Sequence, residues 1–329
     1  MTDPEDPRVG DLSESAILRV ILDRIGTAEG SELGPGDDAA VLRAPDGRVV
    51  ATTDTLVHGP DFRLAWSSGT DLGWKAAAVN LADVAAMGAR PTGLLVALAM
   101  PADTRISFVR AFADGLVACC EALAPGCAVI GGDLTISSTL TIAVTALGSL
   151  EGRAPVLRSG ARPGDIVALA GAAGVAARGI DLLFSRFTDA SGPVAVDRAS
   201  LDAAELEALD AQLRPSPPIE LGIAAADAGA TAMMDVSDGL ALDATRLARA
   251  SGVTLSIRSA SVGGVARWAI DGGEDHALLA TFPRDTDLPE GFRAIGEVTA
   301  AGEHPLLLDG EPRAPHGWDP YRDWDAGRG

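Results

Sequence analysis

Five aspartates stand where ordinary surface charge does not. Asp38 lies beside Ala39-Ala40-Val41-Leu42, Asp54 follows Val49-Val50-Ala51-Thr52-Thr53, Asp133 follows Val129-Ile130-Gly131-Gly132, and Asp235 follows Met233-Met234. Asp83 is set inside Ala78-Val79-Asn80-Leu81-Ala82-Asp83-Val84-Ala85-Ala86-Met87. A carboxylate in apolar company is costly unless it is paired or bound to a metal. One strand-end aspartate is usually a cap or turn residue, but five together ask for a shared explanation. Basic partners are scarce, with 26 Lys and Arg against 46 Asp and Glu. A hard cation is the economical solution, and oxygen-only ligation favours Mg²⁺ over zinc. Asp235-Val236-Ser237-Asp238 also precedes a helical stretch. Ser237 or Asp238 fits its N-cap, and a helix N-terminus is where a phosphate binds.

Other chemistries are excluded. The chain has a single lysine, Lys75, within Asp71-Leu72-Gly73-Trp74-Lys75-Ala76, so a Walker A loop is ruled out. Gly171-Ala172-Ala173-Gly174 is not a dinucleotide fingerprint and reads as strand–helix punctuation. Cys119, Cys120 and Cys127 have neither a zinc spacing nor an even count, and read as small core residues. A net charge of −20 repels nucleic acid and anionic lipid, so neither is expected as a partner. No apolar run approaches the roughly 18 residues of a membrane helix. The acidic start Met1-Thr2-Asp3-Pro4-Glu5-Asp6-Pro7 does not resemble a signal peptide, and a cytoplasmic location is expected.

The 329 residues accommodate two domains of roughly 150. Residues 1–12, rich in Pro and Asp, are expected to fray. Residues 13–150 alternate strands and helices: helices over 13–25, 71–87 and 106–123, and strands over 48–57, 93–100, 127–130 and 139–150. Gly131-Gly132-Asp133 would then close the strand over 127–130. Residues 151–329 form a second unit, with strands over 166–170, 232–234 and 277–282 and helices over 176–184, 219–228 and 240–250. Residues 188–211 read as an exposed loop and helix.

Several motifs occur together and in a familiar order. They are Gly36-Asp37-Asp38-Ala39-Ala40-Val41, Thr53-Asp54-Thr55-Leu56-Val57, Asn80-Leu81-Ala82-Asp83-Val84-Ala85-Ala86-Met87-Gly88-Ala89, Gly131-Gly132-Asp133, Arg214-Pro215-Ser216-Pro217, Asp235-Val236-Ser237-Asp238-Gly239-Leu240 and Gly272-Gly273-Glu274-Asp275. The sequence resembles the thiamine-monophosphate kinase family of the aminoimidazole-ribonucleotide-synthase-like superfamily, over residues 14–324. That resemblance implies an α+β, two-domain fold. Its N-terminal sheet would pair across a homodimer, and a C-terminal α/β sandwich domain would complete the site. It implies Mg²⁺ ligands at Asp38, Thr52, Thr53, Asp54, Asp83, Asp133, Asp235 and Asp238. Nucleotide contacts fall on Gly132, Asp133, Arg158 and Ser237. Substrate contacts fall on Asp61, Glu274 and Tyr321.

The implied reaction converts ATP and thiamine monophosphate to ADP and thiamine diphosphate, with several Mg²⁺ ions. Its nucleophile is a phosphate oxygen already ionised near neutral pH, so no acid–base residue is assigned. The chain departs from the family pattern at Asp61, where a His is usual, and at His276, which replaces a Tyr. These departures leave room for a different substrate within the superfamily, or for a nucleotide-binding relative without turnover. Retention of the metal carboxylates speaks against the latter.

Overall fold

The structure is a computed structural model and describes residues 6–35, 39–263 and 266–317. Its first half is organised round a stretch with almost no polar face. A helix that is apolar on every side must be covered on every side. The helix Gly69–Ala86 begins at Ser68 with a capping box. Ser68 Oγ accepts the Asp71 N–H at 3.2 Å, and the Asp71 carboxylate accepts the Ser68 N–H at 2.9 Å. The helix Ile106–Leu123 covers one flank, a four-stranded sheet another, and the helix Ile219–Asp227 of the second half its C-terminal end. Gly73 lets the two long helices meet backbone to backbone, because a Cβ there would lie 2.0 Å from the Phe112 carbonyl oxygen.

The sheet runs Val50–Val57, Thr141–Ser149, Arg90–Met100, Val129–Ile136. The first two pairings are antiparallel and the last is parallel. One row of the register crosses it as Asp54, Val144, Val96 and Gly132. Asp54 and Gly132 therefore occupy opposite edges, about 14 Å apart at three strand spacings. The last strand does not stop at Gly131-Gly132-Asp133. It continues to Ile136, because those residues stay in parallel register with Leu95, Val96 and Ala97. Residues 6–12 are docked rather than frayed. The Asp6 carboxylate takes the Ser107 N–H at 2.9 Å at the start of a helix, and Val9 is buried in the core.

The second half holds a seven-stranded sheet in the order Ala232–Val236, Ala277–Phe282, Ile166–Ala170, Phe292–Ala300, Val253–Ile257, Leu306–Leu308, Glu311–Pro312. All its pairings are antiparallel except that of Val253–Ile257 with Leu306–Leu308. The helix Leu240–Ser251 packs on the face carrying Met234 and Val236. Ile219–Asp227 and Ala86 of the long helix pack on the face carrying Met233 and Phe282. Strands covered on both faces are apolar throughout, which is why Ala277–Phe282 is an unbroken apolar run apart from Thr281. The helices Val175–Arg186 and Ala203–Leu213 form a small core of their own with Trp66. The three cysteines are free and buried. No described helix is long and apolar enough to cross a membrane.

Candidate active site

The long helix presents two of its polar positions, Asn80 and Asp83, to the edge strand Val50–Val57. Asn80 Oδ1 accepts the Asp54 N–H at 3.1 Å, which satisfies an edge donor that no strand covers. Thr52 Oγ1 donates to Asp83 Oδ2 at 2.8 Å. Across the junction of the two halves, the buried Asp235 lies near the end of its strand beside His276, with Oδ2 and Nδ1 3.2 Å apart. Burial, with Asp235 and Asp54 adding to it, pushes the Asp83 carboxyl up to about 6, against the Thr52 hydroxyl bond and His276. The Asp54 carboxyl is raised as well, by burial and by Asp235 and Asp238. Burial opposes a charge on His276, but Asp235 and Glu274 outweigh it and raise the imidazole above its usual value. His276 Nε2 is buried with no partner among the described residues.

These carboxylates come from both halves and repel one another. Apart from His276 the donors are all oxygen, a set that fits a hard divalent cation such as Mg²⁺. No group of three or more His, Cys, Asp or Glu side chains among the described residues already closes into a ligand shell.

The Asp235–Leu240 loop corrects one expectation. The helix Leu240–Ser251 is capped by Gly239, with no side-chain cap from Ser237 or Asp238. Instead Asp243, fully buried in its first turn, reaches back to accept the Asp238 N–H at 3.1 Å. Arg246 bonds both carboxylates, at 2.5 Å to Asp238 and 2.7 Å to Asp243. The Asp243 carboxyl is nonetheless pushed up to about 6, by burial and then by Asp235.

Glu274, Asp275 and His276 have three separate jobs. Asp275 accepts the Gly174 and Ala176 N–H groups at 2.5 and 2.9 Å and so caps the helix Val175–Arg186. His276 turns to Asp235. Glu274 faces a cavity of about 600 Å³. Gly273 brings this turn against the Ser237 loop, since a Cβ there would lie 2.1 Å from the Ser237 carbonyl oxygen. Asp61, Arg63, Trp66, Phe184 and Ser237 line the same cavity. Asp61 spends one carboxylate oxygen on the Val57 N–H at 2.7 Å, and burial raises its carboxyl.

Thr52, Asp54, Asp83, Asp235 and Asp238 thus converge at one junction, and Asp61, Ser237 and Glu274 share the cavity. Gly132 and Asp133 do not join them within one chain. They line a second cavity, of about 890 Å³, over the opposite edge of the four-stranded sheet. Thr53 Oγ1 donates to the Val144 carbonyl at 2.9 Å and accepts from Thr145, which also lines that second cavity. Arg158 is exposed beyond both cavities, its carbonyl held by Ser251 Oγ at 2.8 Å. Asp38 and Tyr321 lie outside the described residues. Sequence reasoning missed His276, Asp243 and Arg246 as neighbours of the carboxylates. No local signal marks them, because each acquires its role from a carboxylate brought near by the fold.

The four-stranded sheet and the buried helix that backs it lie within a segment that matches a known family. The family model for AIR synthase related protein, N-terminal domain, matches residues 36–150. The thiamine-monophosphate kinase of Mycobacterium tuberculosis is 39% identical over 338 residues, spanning 98% of this chain and 94% of that protein. The chain belongs to the thiamine-monophosphate kinase family. Among solved structures, the thiamine-monophosphate kinase from Stenotrophomonas maltophilia K279a has a TM-score of 0.74 at 32% identity, over 91% of this chain and 96% of that one. AaThiL complexed with AMPPCP and TMP has a TM-score of 0.74 at 31% identity, over 94% and 98%.

Proposed function

We propose that this protein transfers the terminal phosphoryl group of ATP to thiamine monophosphate by direct in-line displacement, releasing ADP and thiamine diphosphate. The carboxylate junction carries this reading: Asp54, Asp83 and Asp235, from both halves, crowd together with too little positive charge between them. Family membership, and a relative solved with AMPPCP and TMP, support the same substrates.

Thr52, Asp54, Asp83, Asp235 and Asp238 would hold Mg²⁺, with Asp38, Thr53 and Asp133 as the remaining ligands of the family pattern. Mg²⁺ held there would supply charge neutralisation on the phosphates, while the carboxylates that hold it fix where that charge sits. The chain needs no general base, because a phosphate monoester carries about −1.5 to −2 charges near neutral pH. Ser237 and the start of the helix Leu240–Ser251, where no N-cap side chain bonds the backbone, offer donors to the nucleotide phosphates. Arg158 adds positive charge where no P-loop lysine exists. Asp61, Glu274 and Tyr321 receive the ring system of the substrate.

The reading includes a cytoplasmic homodimer with domains over 13–150 and 151–329. Asp133 supports the dimer, since within one chain it lies on the edge opposite Asp54. So does the exposure of Leu95 and Ile136 on that sheet.

The test is one incubation with Mg·ATP and thiamine monophosphate, followed by separation of products. Thiamine diphosphate is expected one-for-one with ADP and without AMP. ADP without thiamine diphosphate would move the substrate elsewhere. Bound ATP with neither product would overturn catalysis.

A further inference from the structure

The only lysine of the chain is not at the surface. Lys75 leaves the long helix with its side chain 5% exposed and forms an ion pair with Glu274, whose side chain is 36% exposed. It also donates to the Gln212 carbonyl at 3.4 Å. The Gln212 side chain joins in, with Nε2 donating to Glu274 Oε2 at 2.9 Å. Both donors act on the same carboxylate oxygen, Oε2. Oε1 has no hydrogen-bond donor among the described residues. The backbone of Glu274 is fixed too. It holds φ +74°, and its N–H donates to the Ser237 carbonyl at 2.8 Å. A glutamate in the left-handed region is uncommon and persists where its surroundings impose it. Lys75 and Gln212 border the cavity too, but the Lys75 side chain is nearly closed off and Glu274 is the open end of the pair. The same cavity is lined by Trp66 and Phe184, edge to face with ring centroids 5.1 Å apart.

We propose that Lys75 and Gln212 are positioning residues for substrate recognition: by holding Oε2 of Glu274 they present Oε1 to the cavity as the acceptor for an N–H-donating, cationic ring system. This rests on the reading above that the cavity takes the ring end of thiamine monophosphate, and it extends that reading to residues behind the contact. An amino-substituted ring satisfies Oε1, whereas a ring with oxygen in place of the amino group sets one acceptor against another. Burial of Glu274 works against its charge, but Lys75, His276 and Gln212 outweigh it and keep the carboxyl below its ordinary value.

The experiment is steady-state kinetics of the full-length protein with ATP and thiamine monophosphate, and with the analogue bearing oxygen in place of the exocyclic amino group. Wild type is compared with Lys75→Met, Glu274→Gln and the double variant. Lys75→Met is expected to raise KM for thiamine monophosphate about tenfold, as the loss of an oriented charged acceptor does, while KM for ATP stays within about twofold. The double variant is expected to match Glu274→Gln, because all that Lys75 contributes runs through Glu274. Discrimination between the amino substrate and its oxygen analogue should fall in every variant. Additive losses in the double variant, equal rises in both KM values, or an unchanged KM in Lys75→Met would overturn the proposal. If Lys75→Met fails to fold, Gln212→Met keeps the ion pair and takes the same test. Wild-type protein that forms no thiamine diphosphate would overturn the underlying function, an outcome read from the control alone.

Discussion

Buried or half-buried carboxylates occur in two neighbouring regions of this molecule and meet opposite fates. At the junction of the sheets, Asp83 faces Asp54 and Asp235, and its proton is held up to about 6. In the cavity, Glu274 faces Lys75 and its carboxyl sits below the ordinary glutamate value. The difference lies in where the counter-charge comes from. Glu274 has its cation built into the chain, so it is ready before any ligand arrives. Among the described residues the junction has only His276 and, further out, Arg246. It stays under electrostatic strain until positive charge is brought in. Stability and function should therefore respond in opposite ways in the two regions.

The largest effect belongs to the junction. Asp83→Asn is expected to cut kcat about a thousandfold at saturating Mg·ATP, as loss of charge stabilisation in a transfer site does. The metal-free variant should be at least as stable as wild type. A raised carboxyl contributes stability when protonated, and that contribution is lost as pH rises through about 6, so the variant should flatten this part of a Tm–pH curve. A clear fall in Tm at neutral pH would put Asp83 in the same class as Glu274. Next, Mg²⁺ at about a hundredfold over its Kd should stabilise wild type by about 2.7 kcal/mol, read by scanning calorimetry. Asp83→Asn should lose most of that gain; equal gains would place the cation elsewhere.

Lys75→Met works in the other direction. It should cost about 2 kcal/mol in denaturant unfolding, less than a fully buried pair because Glu274 keeps contact with solvent. Stabilisation by this variant would erase the contrast between the regions. Smallest is Tyr321→Ala, expected to raise KM for thiamine monophosphate about tenfold with little change for ATP, the size of one lost aromatic contact. Matching rises for both substrates would argue against a ring contact.

Much of the junction is legible in the sequence because aspartate is conspicuous in apolar surroundings. Asp54, Asp83 and Asp235 can be picked out by neighbours alone. Their partners cannot. His276 gains its meaning from Asp235, 41 residues away in sequence, and Lys75 from Glu274, 199 away. The long helix is readable to within two residues, 71–87 against Gly69–Ala86, since its apolar run and closing glycine are local; its Ser68 capping box lies outside that reading. The glycine pair at 131–132 misleads for the opposite reason. It reads as a stop, yet parallel pairing with Leu95 and Val96 carries the strand through it. Residues 188–211 look exposed by composition. Their helix is held by an Asp202–Glu205 capping box, which is local, and by burial of Leu209 against Val175–Arg186, which is not.

The helix Gly69–Ala86 carries Lys75 at one level and Asp83 two turns later. At 1.5 Å per residue that separation is about 12 Å, and packing on every side keeps the helix from sliding. The residue that steadies the ring-holding carboxylate and a phosphate-handling carboxylate are thus mounted on one rigid ruler. On the function proposed above, the chain measures its substrate as well as recognising its parts. A molecule with the right ring but a shortened link to its phosphate would satisfy one mark on the scale and miss the other.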